Sequence, residues 1–412
     1  PSGLSIKYGF VVFAIVIAAV IVFATFDQVT TGKTVLSYSN DDLWQEIAER
    51  DAAVTGKRDI VPMQYRVFKL NEPLMQDLLR TAPPESEKDN SIRNLVITLP
   101  MPDGTYSRFR VFESLIMEPE LAARYPELKT YAGQGIDEPS AIVRFDTTPV
   151  GFRALILRES GSVFIDPFAK GNTEDYVSYF KKDFDNPDKK FQCLVDSDVA
   201  DAAGFADKLS SLPDSPNVVT NGGTLRTYRL AVATTGEYAQ FHGGTVAGAL
   251  AAVVTTVNRV NSVYERDLSV RLTLVANNNL LISTNPASDP WSNTSGDLNN
   301  ITGVINGIIG SAAYDVGHLV GTGGGGVAGL NVPCGASKGR GLTGSSQPVG
   351  DPFDIDYVAH EMGHQFGGNH TFNGGSGSCA GGNRSAANAF EPGSGATIQA
   401  YAGICSGQDI QR

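Results

Sequence analysis

The spacing of apolar and polar residues changes character along the chain. Over residues 8–26 it is lost: YGFVVFAIVIAAVIVFATF carries no charge and no amphipathic period. A run of this length lies between a signal-peptide core and a membrane span. It predicts a signal peptide, with Val22 and Ala24 marking a cleavage site after Ala24, or an uncleaved anchor that engages the membrane. Either way the chain that follows is expected outside the cytoplasm.

From 33 to 195 the dominant period is two, after one short helical stretch expected at 42–50. NLVITLPMPDGTYSRFRVFES reads as two strands around a Pro-Asp-Gly turn, and SAIVRFDTTPVGFRALILRESGSVFIDPF repeats the pattern. Short strands so spaced predict a meander or a sandwich. The stretch 196–223 is small, polar and broken by Pro and Gly, and it reads as a linker. Charged residues thin out beyond it, which marks a domain boundary.

From 224 to 412 periods of two and 3.6 alternate. LRTYRLAVATT predicts a strand, and Val246, Leu250, Val253, Val257, Val260 and Val263 then recur at helical spacing. LSVRLTLVAN follows as a strand, and Leu298, Ile301, Ile305, Ile308 and Ile309 predict a second helix. YDVGHLVGTG and GVAGLNVP predict two more strands. DIDYVAHEMGHQF predicts a helix with an apolar stripe of Ile355, Val358, Ala359, Met362 and Phe366, capped by Asp354 and stopped at Gly367 and Gly368. The order implies a sheet with helices packed on it, an α+β chain.

Composition narrows the function. At 412 residues and 42% hydrophobic, the chain can bury more than one core. A net charge of -12 argues against nucleic acid as a partner, because phosphate binding needs a basic footprint. Only five histidines occur, and three of them fall within HEMGHQFGGNH at 360–370. Residues four apart share a helix face, so His360 and His364 can aim two imidazoles at one ion. Gly367 lets the chain turn and bring His370 back as a third ligand. Glu361, next to the first ligand, projects beside the ion, where it can hold a bound water. Three protein ligands leave a fourth position for water or substrate, the catalytic arrangement for Zn2+. HExxH alone is a weak signal. HExGHxxGxxH on a helix with an apolar stripe is a specific one.

HEMGHQFGGNH resembles the zinc signature of metzincin metallopeptidases. YDVGHLVGTGGGGVAGLNVPCG resembles the edge-strand region of that clan's catalytic domain. Along most of its length, KTYAGQGID included, the chain is similar to the bacterial reprolysin-like (adamalysin-related) group. The resemblance implies a leader or anchor at 1–32, a β-rich pro-region at 33–195, a linker at 196–223 and a metzincin-like catalytic domain at 224–412. It implies a secreted zinc endopeptidase, or one anchored with its catalytic domain outside the cytoplasm. The enzyme would be made as a proenzyme, with protein or peptide substrates and its own pro-region as inhibitor. His360, His364 and His370 would be the zinc ligands, and Glu361 the general base acting on a zinc-bound water. Substrate would pair with an edge strand near 328–332. The glycine run 323–326 lacks phosphate-loop spacing and reads as a flexible turn.

The resemblance has gaps. Metzincins carry a methionine in a turn beneath the metal, and Gln399 stands at that place in GSGATIQAYAGIC. Tyr401, two positions on, matches a tyrosine that in some metzincins approaches the zinc and stabilises the reaction intermediate; it also reads as a plain core tyrosine. The family's closing helix would follow Arg412, so the C-terminal end of the domain is expected to be incomplete. Of the four cysteines, Cys379 and Cys405 are expected to pair and staple the floor of the site. For Cys193 three readings compete: a bridge to Cys334, a thiolate on the zinc that keeps the proenzyme latent, or a free buried thiol. The rival readings of the whole chain are a catalytically impaired zinc-binding adhesion or scaffold module, and a metal-dependent hydrolase of other bonds.

Overall fold

A computed structural model describes residues 43–88, 94–184, 193–196, 224–323 and 325–410. The apolar run and the linker expected at 196–223, apart from Asp196, lie outside them.

The first sheet is antiparallel and nine-stranded. Its strands are β1 (Trp44–Ile47), β2 (Arg66–Leu70), β3 (Leu95–Pro100), β4 (Tyr106–Glu113), β5 (Lys129–Gly135), β6 (Ile142–Thr148), β7 (Gly151–Leu157), β8 (Val163–Pro167) and β9 (Asp175–Phe180). They run β1-β2-β9-β8-β7-β6-β5-β4-β3, so β3 to β9 form a continuous meander. The turns fall where Gly104 (φ +86°), Gly151 (φ +113°) and Gly161 (φ +116°) supply left-handed backbone. The helical stretch expected at 42–50 is instead β1 and a short 3-10 turn, Glu49–Asp51. Trp44 decides it: alternation along WQEI drops the indole between Phe152 and Tyr176, at centroid distances of 5.5 and 5.6 Å.

Both faces of this sheet are covered. Phe152, Ala154, Ile156, Val163, Ile165 and Tyr176 point into one core with Trp44, Phe68 and Met75. The intervening Leu155, Leu157, Phe164, Val177 and Tyr179 join a second core with Val253, Val257 and Val260 of a long helix, Val246–Leu268.

The second sheet is mixed, in the order β10-β14-β15-β13-β11-β12. Its strands are β10 (Cys193–Asp196), β11 (Arg226–Thr234), β12 (Val270–Leu274), β13 (Val316–Gly321), β14 (Gly325–Gly329) and β15 (Gly341–Gly344). Only β14 runs antiparallel to its neighbour β15; β10, which precedes the linker in sequence, pairs parallel with β14. The long helix begins at Thr245, whose side chain accepts from Gly248 N–H, and ends at Ser269 in the left-handed region.

Two sequence expectations change here. The strand expected near 328–332 ends at Gly329, followed by a turn with Asn331 at φ +55°. Asp354 does not cap the motif helix. That helix opens as a wide π-type segment, Pro352–Ala359, and tightens to α over His360–Gln365. Asp354 lies inside it, buried, accepting from Thr256 Oγ1 (2.6 Å) and Arg259 Nη1 (3.0 Å). Those partners sit on the long helix, too far along the chain for a sequence pattern to pair with it.

Candidate metal centre

Three elements deliver the site. The motif helix carries His360, Glu361 and His364. Gly367, at φ +97°, turns the chain, and Gly368 N–H returns to Gly363 O (2.8 Å), which swings His370 back beside the helix. Strand β14 lies across the helix, and β10 lies outside β14 with Cys193 in register with Gly326.

The Nε2 atoms of His360, His364 and His370 stand 3.0, 3.2 and 3.3 Å from one another, and Cys193 Sγ is 3.4 Å from His364 Nε2. All four donor atoms lie within 4.8 Å of each other, and all four residues are buried. The second nitrogens fix the tautomers. His360 Nδ1 donates to Ile398 O, His364 Nδ1 to Gly368 O and His370 Nδ1 to Asn383 O, each at 2.6 Å. The proton is therefore on Nδ1, and three bare Nε2 lone pairs face one another. Burial keeps the rings neutral: it pushes His360 down to about 3, His370 to about 4 and His364 well below its ordinary value. Converging lone pairs without a proton between them repel unless a cation sits at their focus. Three imidazoles and a thiol with backbone-held rings suit a tetrahedral Zn2+.

Glu361 is wholly buried beside this focus, and the Cys193 thiol interacts with its carboxylate. Burial raises its pKa to about 8. Its position is set by Gly326, because a Cβ there would stand 2.6 Å from Glu361 Cγ and closer still to Cδ and Oε1. Gly326 was not among the residues singled out in the sequence. The glycine run around it was visible but read as a flexible turn; Gly325 and Gly326 instead open strand β14, which must approach the helix without a side chain at Gly326.

The floor is built from the turn carrying Gln399 and Tyr401. Gln399 Nε2 donates to Gly368 O (3.3 Å), the carbonyl that also holds His364, while its Oε1 has no partner. Gln399 Cδ lies 2.8 Å from where a Cβ on Gly363 would sit, so the motif's glycine leaves room for this side chain. Tyr401 is buried, 4.7 Å from the His370 ring and 4.6 Å from Phe372 by centroid. Its hydroxyl donates to Cys193 O (3.0 Å) rather than standing free. Cys379 and Cys405 form the expected disulfide, with a Cα–Cα distance of 5.1 Å. Cys193 and Cys334 are not bridged; Cys193 is buried at the histidines and Cys334 is exposed. Behind the helix, Gln365 links to His318 (2.9 Å) and Gly317 O (2.7 Å), tying the site to β13. His318 was invisible in sequence because it lies far from the motif.

Residues 224–411 match the model of the metallo-peptidase family M12B, reprolysin-like. Metalloproteinase-II from Bacteroides fragilis is a solved structure similar to this chain, at 14% identity over 72% of this chain and 89% of that one, with a TM-score of 0.34. No curated protein matches. The family match spans every strand of the second sheet except β10 together with the whole histidine motif, and by it residues 224–411 are a reprolysin-like metallopeptidase domain.

Proposed function

We propose that this chain is the latent form of an exported zinc endopeptidase. The observation that carries the reading is the place of Cys193: its sulfur lies 3.4 Å from His364 Nε2 and within 4.8 Å of the other two Nε2 atoms, beside their focus, on a strand that fills the outer edge of β14. A thiolate there would take the fourth position on a zinc ion held by the three histidines, in place of water. The same strand covers the edge along which an extended substrate would pair, so one segment blocks both chemistry and binding.

His360, His364 and His370 would hold the ion. Zinc supplies a Lewis acid that polarises the scissile carbonyl and acidifies the attacking water. Glu361, buried beside the focus and freed of the Cys193 thiol once β10 leaves, would take the water's proton and pass it to the leaving amine. Tyr401 is tied to Cys193 O here; once β10 leaves, its hydroxyl is free to donate to the oxygen of the tetrahedral intermediate. Gln399 helps to aim His364 through the Gly368 carbonyl.

Export is supported by the apolar run at 8–26 and by the Cys379–Cys405 disulfide, which belongs to an oxidising compartment. The intact Glu361 weighs against an adhesion or scaffold module. The test is cleavage of a peptide library by the proteolysed chain, with and without a chelator. Chelator-sensitive cleavage restored by zinc supports the reading; zinc bound with no cleavage of any peptide would instead identify the non-catalytic module.

A further inference from the structure

The nine-stranded sheet borders a cleft of about 630 Å³ whose lining residues all fall between 70 and 176, outside the matched stretch 224–411. Its floor is aromatic: Tyr131 on β5, Phe152 on β7 and Tyr176 on β9. They belong to one row of rings across the sheet. Tyr131 stacks on Phe145 at 4.9 Å, Phe145 stands 5.3 Å from Phe152, and Phe152 meets Tyr176 edge-on at 6.0 Å. The short helix Glu72–Leu79 forms a wall, with Met75 and Leu79 buried in the same core as the rings.

The charges around the cleft are unbalanced. Glu72, Glu113 and Glu127 line it against two cations, Lys129 and Arg80. Both cations are already engaged. Lys129 Nζ donates to Glu113 Oε1 (2.7 Å), and Arg80 pairs with Asp77, which is not part of the lining. Among the described residues neither Glu72 nor Glu127 has a basic partner; Glu72 accepts only from the Gln76 amide (3.0 Å). Burial raises the Tyr131 and Tyr176 hydroxyls, and the charge of Glu113 adds to it at Tyr131, that of Glu72 at Tyr176. Those carboxylates therefore stand close enough to the floor to make its potential negative.

A concave, largely apolar cleft of about 300–1,000 Å³ with a few convergent polar groups is the ordinary form of a small-molecule site. Here the polar groups left over are acids, and the apolar ones include rings, whose faces attract ammonium and guanidinium groups within about 6 Å. We propose that this cleft binds a small organic cation, with its apolar body on Tyr131, Phe152 and Tyr176 and its ammonium or guanidinium head among Glu72, Glu113 and Glu127. An anion of the same shape meets those carboxylates with the wrong sign, and a neutral molecule gains the apolar contact alone. None of these groups belongs to the metal centre.

The test titrates the full chain by isothermal calorimetry with three probes of similar shape: phenethylammonium, phenethyl alcohol and hydrocinnamate. The cation is expected to bind with a Kd of about 1 mM or tighter, and the neutral and anionic probes at least about fivefold more weakly, the worth of one solvent-exposed ion pair. Glu127→Gln is expected to weaken the cation about fivefold and to leave the neutral probe unchanged. Gln76→Trp places an indole at the mouth and is expected to abolish binding of the cation. Both positions are exposed, so both variants should melt as the wild type does; Glu72→Gln gives the same direction as Glu127→Gln where either fails to fold. No saturable binding of the cation up to about 10 mM, or equal binding of the three probes, would overturn the proposal. So would an affinity for the cation unchanged in Glu127→Gln and Gln76→Trp alike. Heat is read without any peptide cleavage, so this outcome and that of the proposed function are decided separately.

Discussion

Gly326→Ala isolates the geometry of the proposed base, Glu361, from that of the histidines. Gly326 is not in the left-handed region, so alanine is allowed by the backbone, and the variant tests contact alone. Its Cβ would lie 2.6 Å from Glu361 Cγ. Carbon atoms settle at about 3.5 Å or more, so Glu361 must retreat by about 1 Å, or β14 must lift by as much. Misplacing a catalytic group by about 1 Å costs on the order of 100-fold in rate. The histidines and their backbone carbonyls are not touched. The expected result is a kcat/KM about 100-fold below wild type in the processed enzyme, with zinc content unchanged by atomic absorption. A small stability loss of about 1–3 kcal/mol accompanies it, as for other overpacked sites. A variant with wild-type kcat/KM would refute the claim that Glu361 acts from this position; lost zinc would show that β14 supports the ligands instead.

Three further outcomes follow from the same contacts. Cys193→Ser should give the uncut chain a small part of the processed enzyme's peptidase activity, because a serine hydroxyl is a poor zinc ligand beside a thiolate while β10 still covers the edge of β14; unchanged latency would assign the block to β10 alone. Gln399→Met should raise stability by about 1 kcal/mol in thermal melts, since it removes the partnerless Oε1 and gives up one long hydrogen bond; a lower Tm would show that the amide is needed for His364. Burial raises Asp146 to about 7 from an unfolded value of 3.8, so the folded chain holds this proton more tightly and its contribution to stability falls as pH rises between those values. Asp146→Asn should therefore match wild type near pH 4 and exceed it at pH 8 by up to on the order of 4 kcal/mol; a difference independent of pH would mean the carboxylate is charged throughout.

The motif was legible because its chemistry is local. Three histidines, one acid and a glycine turn lie within one helix and its exit, and the structure brings the imidazoles to a single focus. The hairpins of the first sheet were legible for the same reason: their turns need the glycines at 104, 151 and 161. What sequence left open depended on contacts far apart in the chain. Asp354 has the composition of a cap but serves as a buried partner of Arg259, 95 residues away. The glycines at 323–326 have the composition of a loose turn, yet Gly326 is small because Glu361 lies against it. Cysteine counting left Cys193 between bridge, ligand and free thiol, and only the parallel pairing of β10 with β14 brings it to the histidines rather than to Cys334.

The central claim is that His360, His364 and His370 hold zinc while Glu361 moves the proton. The direct measurement is zinc content alongside peptidase activity, in Glu361→Ala and His364→Ala, each processed as the wild type is. The account predicts that Glu361→Ala keeps one zinc per chain and loses hydrolysis, and that His364→Ala loses both. Near wild-type hydrolysis in Glu361→Ala, or full zinc binding in His364→Ala, would contradict it.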